Sequence, residues 1–311
     1  MNVLLHGNAL LALAAAALWG GGDFSGGMAV KRAGGSVHAA LRVVLLSHAL
    51  SFVVLLSVAH IRGDAFPQGA ALAWGLAAGV AGGISLTCFY IALSRGAMGA
   101  ASAVSGLMAA AIPAALTLWI EGSPGPGRIA GFALAGIAIW LIAAGQSQTR
   151  SHTPEAHGTI ALAVIAGAGF GLYFVALKMA GAAGVVWPMA TARIGSLSVC
   201  SLILGTLWLR THTGHASHPK YGPGTASPPQ PVNMNRAVVL WTVSTAVLDT
   251  SGNLIFIAAT RAGRLDVAAV LASLYPASTI LLAAALLGER PTRRQALGMG
   301  VAAAAVLLIG A

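Results

Sequence analysis

Two carboxylates that lie inside apolar segments are the residues of this sequence best suited to chemistry. Asp23 follows three consecutive glycines, and Asp249 precedes Thr250 and Ser251 in a largely apolar run. An ionised carboxylate in hydrocarbon costs at least about 2.5 kcal/mol, so such a group normally faces a cavity, a partner or a proton path. We therefore predict that both aspartates bind a substrate or a coupling ion. The alternative is a structural bond to hydroxyl or amide groups on neighbouring helices.

Polar and basic side chains near these carboxylates extend the candidate site. Asn253 lies one helical turn after Asp249, so its amide can hold that carboxylate or a polar group of a substrate, and Ser251 lies between them. Arg42 and Arg193 occupy equivalent positions in two apolar segments. Each arginine is expected either to bind an aspartate or an anionic substrate, or to extend to the lipid headgroups.

Three aromatic side chains complete the candidate site. Trp19, Tyr173 and Tyr275 are expected either to line a cavity or to pack in the core or at the membrane interface. The histidines within 212–218 lie in a segment rich in Pro, Gly and Ser that has no carboxylate, and we do not expect them to bind a metal. Residues 20–23 (GGGD) fit the Gly-x-Gly-Asp pattern of intramembrane aspartyl proteases, whose two aspartates lie on consecutive helices. Here Asp249 lies seven predicted helices after Asp23, so we predict no catalytic residue, no metal and no cofactor.

Membrane-spanning helices must position these residues. The 311 residues are 57% hydrophobic and 8% charged, whereas soluble domains carry about 25% charged residues. The apolar blocks are about 18 residues or longer, enough to cross a bilayer as a helix, and they lack the alternation of barrel strands. Pro276 predicts a kink in the ninth helix. We predict an all-α integral membrane protein with ten transmembrane helices, at about 9–30, 37–59, 69–92, 97–120, 127–146, 159–180, 186–209, 237–259, 265–287 and 295–311.

An internal repeat divides the chain into two halves. Residues 89–95 resemble 255–261, and residues 41–43 resemble 192–194. Each half holds five predicted helices, an odd number, so the second half enters the membrane from the opposite side. We therefore predict two inverted five-helix repeats, as in secondary transporters whose binding site lies between the repeats. The predicted boundaries are 1–147 and 159–311 for the repeats, 148–158 for a polar linker and 210–236 for a flexible loop.

Both ends of the sequence resemble a known family. Residues 271–276, 287–291 and 295–298 (LASLYP, LGERP and QALG) are similar to the closing signature of EamA-type transporters of the drug/metabolite transporter superfamily, and residues 19–27 (WGGGDFSGG) resemble their opening motif. The resemblance covers essentially the whole chain. It implies a central cavity that Asp23 and Asp249 would face, and a proton-linked exporter or exchanger of metabolites, amino acids or drugs.

The distribution of basic residues bears on partners and orientation. The net charge is +10, but Lys and Arg are scattered at the ends of the apolar blocks beside lipid headgroups, so the sequence does not indicate nucleic-acid binding. Five basic residues on the terminus side against ten on the other favour termini that face outward. The family resemblance implies cytoplasmic termini instead.

Together these features predict a secondary active transporter rather than an enzyme. We expect an exporter or exchanger of a small organic metabolite, coupled to a proton or another cation, that works by alternating access between the repeats. Its expected partners are the small-molecule substrate, the proton and the lipid bilayer, and its expected location is a bacterial inner membrane. The alternative is a membrane scaffold or assembly protein that transports nothing, although short predicted loops leave it little docking surface.

Overall fold

Helices make up almost all of the protein. The computed structural model describes residues 2–95, 98–144, 154–213, 234–287 and 292–310, and within these ranges the chain forms eleven α-helices and no β-strand. Eight helical stretches of the described chain are long and apolar enough to cross a membrane. The all-α membrane class is confirmed, while the count of ten spanning helices stays a prediction. The helices are α1 Asn2–Arg32, α2 Val37–Arg62, α3 Gly69–Ser94, α4 Met98–Glu121, α5 Pro126–Ala144, α6 Pro154–Ala180, α7 Val186–Thr213, α8 Arg236–Ala262, α9 Leu265–Ala272, α10 Tyr275–Leu287 and α11 Arg293–Gly310.

Two helices extend into segments that the sequence predicted to be irregular. α6 begins at Pro154, inside the linker predicted at 148–158, and α7 continues to Thr213, inside the loop predicted at 210–236. Proline suits the first position of a helix, because its missing N–H would have no partner there. The linker residues up to 153 and the loop residues 214–233 lie outside the described residues.

The ninth predicted helix is broken rather than kinked. α9 ends at Ala272, and α10 begins at Tyr275. In a continuous helix, the ring of Pro276 would collide with the carbonyl of Ala272, so the helix ends four residues before the proline. The N–H of Ser273 donates to the carbonyl of Ala269 at 2.9 Å and closes the last turn of α9. Discontinuous helices at membrane depth are typical of transporters, where the freed backbone groups line a cavity.

Local signals set the ends of the two helices that later matter most for the site. The Oγ of Ser36 accepts a hydrogen bond from the N–H of Ala39 at 3.1 Å and starts α2, which ends at Gly63 with a left-handed φ of 67°. The side chain of Asn235 accepts from the N–H of Val238 at 3.0 Å and starts α8. These side-chain caps satisfy N–H groups that the helix itself leaves without partners.

Large apolar side chains cover the outside of the bundle. Ile61, Leu202 and Leu240 are 82%, 67% and 59% exposed. A surface of this kind would associate in water, but it matches lipid acyl chains. Trp119 and Trp208 are also exposed and lie near the ends of α4 and α7, where membrane proteins carry their belts of aromatic residues.

Helices from the two halves of the chain pack against each other. α1 lies along α8, α3 lies along α6 and α7, and α2 lies along α7. Glycines permit the closest approach: a Cβ at Gly79 of α3 would collide with the carbonyl of Ala192, and a Cβ at Gly195 of α7 would collide with the carbonyl of Leu76. In lipid, apolar burial does not drive helices together, so close contact at small residues stabilises the bundle.

Gly195→Ala is expected to destabilise the bundle, whereas Gly205→Ala on the same helix is expected to leave its stability unchanged or slightly higher. A methyl group at Gly195 collides with α3, while a Cβ at Gly205 meets nothing within 4 Å. Alanine also favours a helix over glycine by about 1 kcal/mol. Thermal unfolding of the two variants in detergent measures the difference, and equal melting temperatures would contradict the close packing of α3 on α7.

Candidate functional site

A buried ion pair lies in the middle of the bundle. Asp249 is the central residue of α8, and Arg193 lies about two turns into α7. Arg193 Nη2 donates to Asp249 Oδ2 at 2.5 Å and to Thr250 Oγ1 at 3.1 Å. The side chains of Arg193 and Asp249 are 4% and 16% exposed. Because a charge in hydrocarbon is costly unless it is paired, each side chain makes the burial of the other tolerable.

A histidine from the first half of the chain joins this pair. His48 Nε2, on α2, lies 2.6 Å from Arg193 Nη1. A guanidinium can only donate, so Nε2 is the acceptor and the ring proton is on Nδ1. Nδ1 then donates to Ser196 Oγ at 2.6 Å. His48 is therefore a neutral link between α2 of the first half and α7 of the second half.

An amide binds the other carboxylate oxygen of Asp249, and a phenol binds that amide. Asn253 Nδ2 donates to Asp249 Oδ1 at 3.0 Å and to the Asp249 backbone carbonyl at 2.8 Å. The hydroxyl of Tyr173, on α6, donates to Asn253 Oδ1 at 2.8 Å. One continuous chain of hydrogen bonds thus joins four helices, and it runs through Ser196, His48, Arg193, Asp249, Asn253 and Tyr173.

Most residues of this network line a narrow cavity of about 20 Å³, which is room for about one water molecule. α3 contributes glycines to its wall, and α6 contributes Phe170 and Tyr173. A Cβ at Gly82 would lie 2.9 Å from the ring of Tyr173, so glycine is needed for α3 and α6 to meet at the cavity. Arg193 Nε is buried and has no hydrogen-bond partner among the described residues. The bonds to His48, Asp249 and Thr250 use three of the five N–H donors of the arginine, so Nε–H and one N–H of Nη1 are left for a ligand.

Aromatic packing fixes Trp19 on α1. Its ring stacks on Phe174 with the centroids 5.1 Å apart, and it is tilted against Phe256 at 5.2 Å. A Cβ at Gly252 of α8 would lie 2.7 Å from the indole, so this glycine makes room for the ring. The ring of Trp19 therefore packs in the core of the bundle.

Asp23 lies beside the ion pair but takes no part in its hydrogen bonds. Its neighbour Gly22 touches α8, because a Cβ there would lie 3.3 Å from the backbone nitrogen of Asp249. Asp23 is 9% exposed, and its carboxylate lies close enough to that of Asp249 for the two to repel each other. Tyr90 of α3 and Tyr275 of α10 lie within electrostatic reach of Asp23. A second polar region therefore adjoins the first.

Two candidate residues do not join either region. Arg42 is exposed on α2, so it lies apart from its sequence equivalent Arg193, and its extension to the headgroups stays a prediction. Ser251 is half-buried and makes no hydrogen bond to the rest of the described chain. Equivalent positions in the sequence thus have opposite surroundings in the fold.

Sequence reasoning missed His48 and Ser196. The available signal was a short polar group of Ser47, His48 and Ser51 within the otherwise apolar α2. The two serine hydroxyls on α2 donate to carbonyls of their own helix, so they need no outside partner. The partner of His48 could not be predicted, because Arg193 is 145 residues away in the chain.

Several predicted features fall outside the described residues. These are the part of the closing signature at 288–291, with Glu289, and the histidines at 215 and 218. Within the part of the chain that the structure describes, no three His, Cys, Asp or Glu side chains come together as a set of metal ligands.

Arg193→Leu is expected to lower the free energy of unfolding by about 3–5 kcal/mol, because it leaves Asp249 buried without its cation. The double variant Arg193→Leu, Asp249→Leu removes both charges and is expected to recover most of this loss. Unfolding of the single and double variants in detergent measures both effects. A double variant less stable than Arg193→Leu alone would show that the two side chains do not depend on each other.

Two of three comparisons with known proteins give a match for this chain. Residues 159–311 match the sequence model of the EamA-like transporter family, which belongs to the drug/metabolite transporter superfamily. The comparison with curated proteins found no match. The crystal structure of another protein superposes with a TM-score of 0.68 at 15% identity and covers 97% of both chains. At that identity the likeness extends to the fold alone.

Proposed function

Because this chain belongs to the EamA-like transporter family through residues 159–311, we propose that it is a secondary active transporter of a small organic metabolite. It is an integral, multi-pass membrane protein, and its family is one of transporters rather than of enzymes. In this proposal it exports or exchanges its substrate across a bacterial inner membrane, coupled to a proton or another cation.

The proposal includes two inverted repeats of five helices each, with α9 and α10 counted as one broken span. The contacts between helices support it. In this proposal α1, α2 and α3 of the first half correspond to α6, α7 and α8 of the second half. The contact of α1 with α8 then has its counterpart in the contact of α6 with α3, and the contact of α2 with α7 is its own counterpart. Such a correspondence is expected when two similar halves pack about a two-fold axis in the membrane plane. If the halves then swap their conformations, the side of the membrane that reaches the cavity changes.

The buried pair of Arg193 and Asp249 is the observation that carries the proposal. It lies where the two halves meet, and His48 of the first half binds Arg193 across that boundary. A buried ion pair adds little to stability, because the loss of hydration offsets the attraction. Charged groups inside a membrane bundle instead mark the paths of substrates and ions.

An anionic group on the substrate would bind Arg193. The guanidinium has a free Nε donor beside the cavity, and its planar fork matches a carboxylate or a phosphate. The substrate anion would compete with Asp249 for the same cation. Binding of substrate would therefore loosen the contact between α7 and α8, which is the kind of change that alternating access requires.

Two contacts between residues at the ends of helices connect the two halves of the chain. Arg264, between α8 and α9, lies 3.7 Å from Glu121 of the first half. Its hydrogen bond to Asp266 at 2.9 Å raises the pKa of Arg264, which keeps this side chain cationic. Trp187 Nε1 donates to the backbone carbonyl of Asp64 at 2.9 Å. In alternating access these contacts would break when the cavity opens to the side of the membrane on which they lie.

Proton flux in proteoliposomes tests the proposal. Under an imposed pH gradient, the wild-type protein is expected to change the internal pH when a pool of metabolites contains its substrate. Asp249→Asn is expected to lose this flux, because the neutral amide no longer competes with the substrate for Arg193. A pH-sensitive dye inside the vesicles provides the measurement.

Asp64→Asn is the matched control, because it makes the same change of charge outside the cavity. The side chain of Asp64 is 33% exposed and pairs with the exposed Arg62, and its tie to Trp187 uses the backbone carbonyl that asparagine retains. Equal flux in wild type and Asp249→Asn would exclude Asp249 from the mechanism. The absence of both flux and labelled-substrate counterflow with every pool would contradict transport and favour a membrane scaffold.

A further inference from the structure

The balance of charge in the centre of the bundle leaves one carboxylate without a counter-ion. Arg193 neutralises Asp249, and His48 beside it is neutral. Asp23 is 9% exposed and makes no hydrogen bond or ion pair with any other described residue. An ionised carboxylate in that position would cost at least about 2.5 kcal/mol. The neutral, protonated form of Asp23 avoids this cost.

Hydroxyl groups without partners lie around Asp23. The hydroxyls of Tyr90 and Tyr275 are buried, and neither meets the geometry of a hydrogen bond with a described residue, although Ser105 of α4 lies near the hydroxyl of Tyr275. The ring of Tyr90 lies against Gly26, about one turn after Asp23, where any Cβ would overlap it. Buried hydroxyls almost always have a partner, and groups that lack one in the protein mark places for water. Water at Asp23 would supply and remove protons.

The surroundings of Asp23 contain few other groups that can titrate. Asp249 faces it from α8, Tyr90 from α3 and Tyr275 from α10, and Arg193 lies behind Asp249. On the remaining helices packed against α1, His48 of α2 is bound to Arg193 and Ser196, Asp266 of α9 is bound to Arg264, and the arginines of α11 are exposed.

We infer that Asp23, and not Asp249, is the carboxyl group that binds and releases the coupling proton. This assignment rests on the proposed transport function. The step is a simple exchange: a carboxylate oxygen of Asp23 takes a proton from water on one side of the membrane and returns it to water on the other side. Asp249 is the less suitable carboxyl group, because Arg193 and Asn253 already bind its two oxygens.

The closeness of the two carboxylates gives a physical basis for coupling. An anionic substrate that draws Arg193 away would leave the charge of Asp249 without its cation. That charge repels an ionised Asp23 and so favours the protonated form. The protonation of Asp23 is therefore linked to the contact between Arg193 and Asp249, and loss of the proton from Asp23 would favour the return of Arg193 to Asp249.

Infrared spectroscopy of the protein in lipid vesicles tests the protonation of Asp23 without a substrate. At neutral pH, wild type and the control Asp64→Asn are expected to show the C=O stretching band of a protonated carboxylic acid. Asp23→Asn is expected to lack it. Asparagine has nearly the same shape as aspartic acid, and an unchanged melting temperature would show that the variant is folded. A band that remains in Asp23→Asn, or its absence from wild type, would overturn the inference.

Transport separates the coupling role from the function itself. Asp23→Asn is expected to retain labelled-substrate counterflow and to lose substrate-dependent proton flux, because it can bind substrate but no proton. Wild-type proton flux in Asp23→Asn would overturn the inference while the transport function stands. A wild-type protein with neither counterflow nor flux would contradict the proposed function, and the coupling role of Asp23 would fall with it.

Discussion

A charge inside the hydrocarbon of a membrane must find its partner within the protein, and the centre of this bundle is built around that constraint. Arg193 cannot stay buried without Asp249, so α7 and α8 must meet at one depth. The second amino group of the guanidinium needs an acceptor, which His48 supplies from α2. The hydrogen bond from Arg193 to His48 therefore joins the second half of the chain to the first half.

Small residues make these contacts geometrically possible. Gly79 and Gly195 let α3 and α7 approach until the backbone of each touches the other, and Gly22 lets α1 rest on the backbone of α8 at Asp249. Within lipid, the burial of apolar surface does not favour helix association as it does in soluble proteins, so this close packing stabilises the bundle instead.

The two buried aspartates differ in one respect that decides their roles. The carboxylate of Asp249 binds a cation and an amide. The carboxyl group of Asp23 binds neither, and the buried hydroxyls of Tyr90 and Tyr275 lie near it. One of those hydroxyls belongs to Tyr275, which is the first residue of α10 after the interruption that follows α9. An ion pair beside a carboxyl group that has no counter-ion is the arrangement on which the proposed coupling of substrate and proton rests.

The sequence alone determined the helices and the residues that must be special among them. Bilayer thickness sets the length of each apolar block, and the scarcity of carboxylates within those blocks marked Asp23 and Asp249. Only the tertiary structure decided which partners these residues have. Arg42 and Arg193 are the same residue type at equivalent positions, yet one faces outward and the other is buried, because helix packing and not local sequence sets their surroundings. His48 became part of the site for the same reason, since the contact that makes it so spans 145 residues of chain.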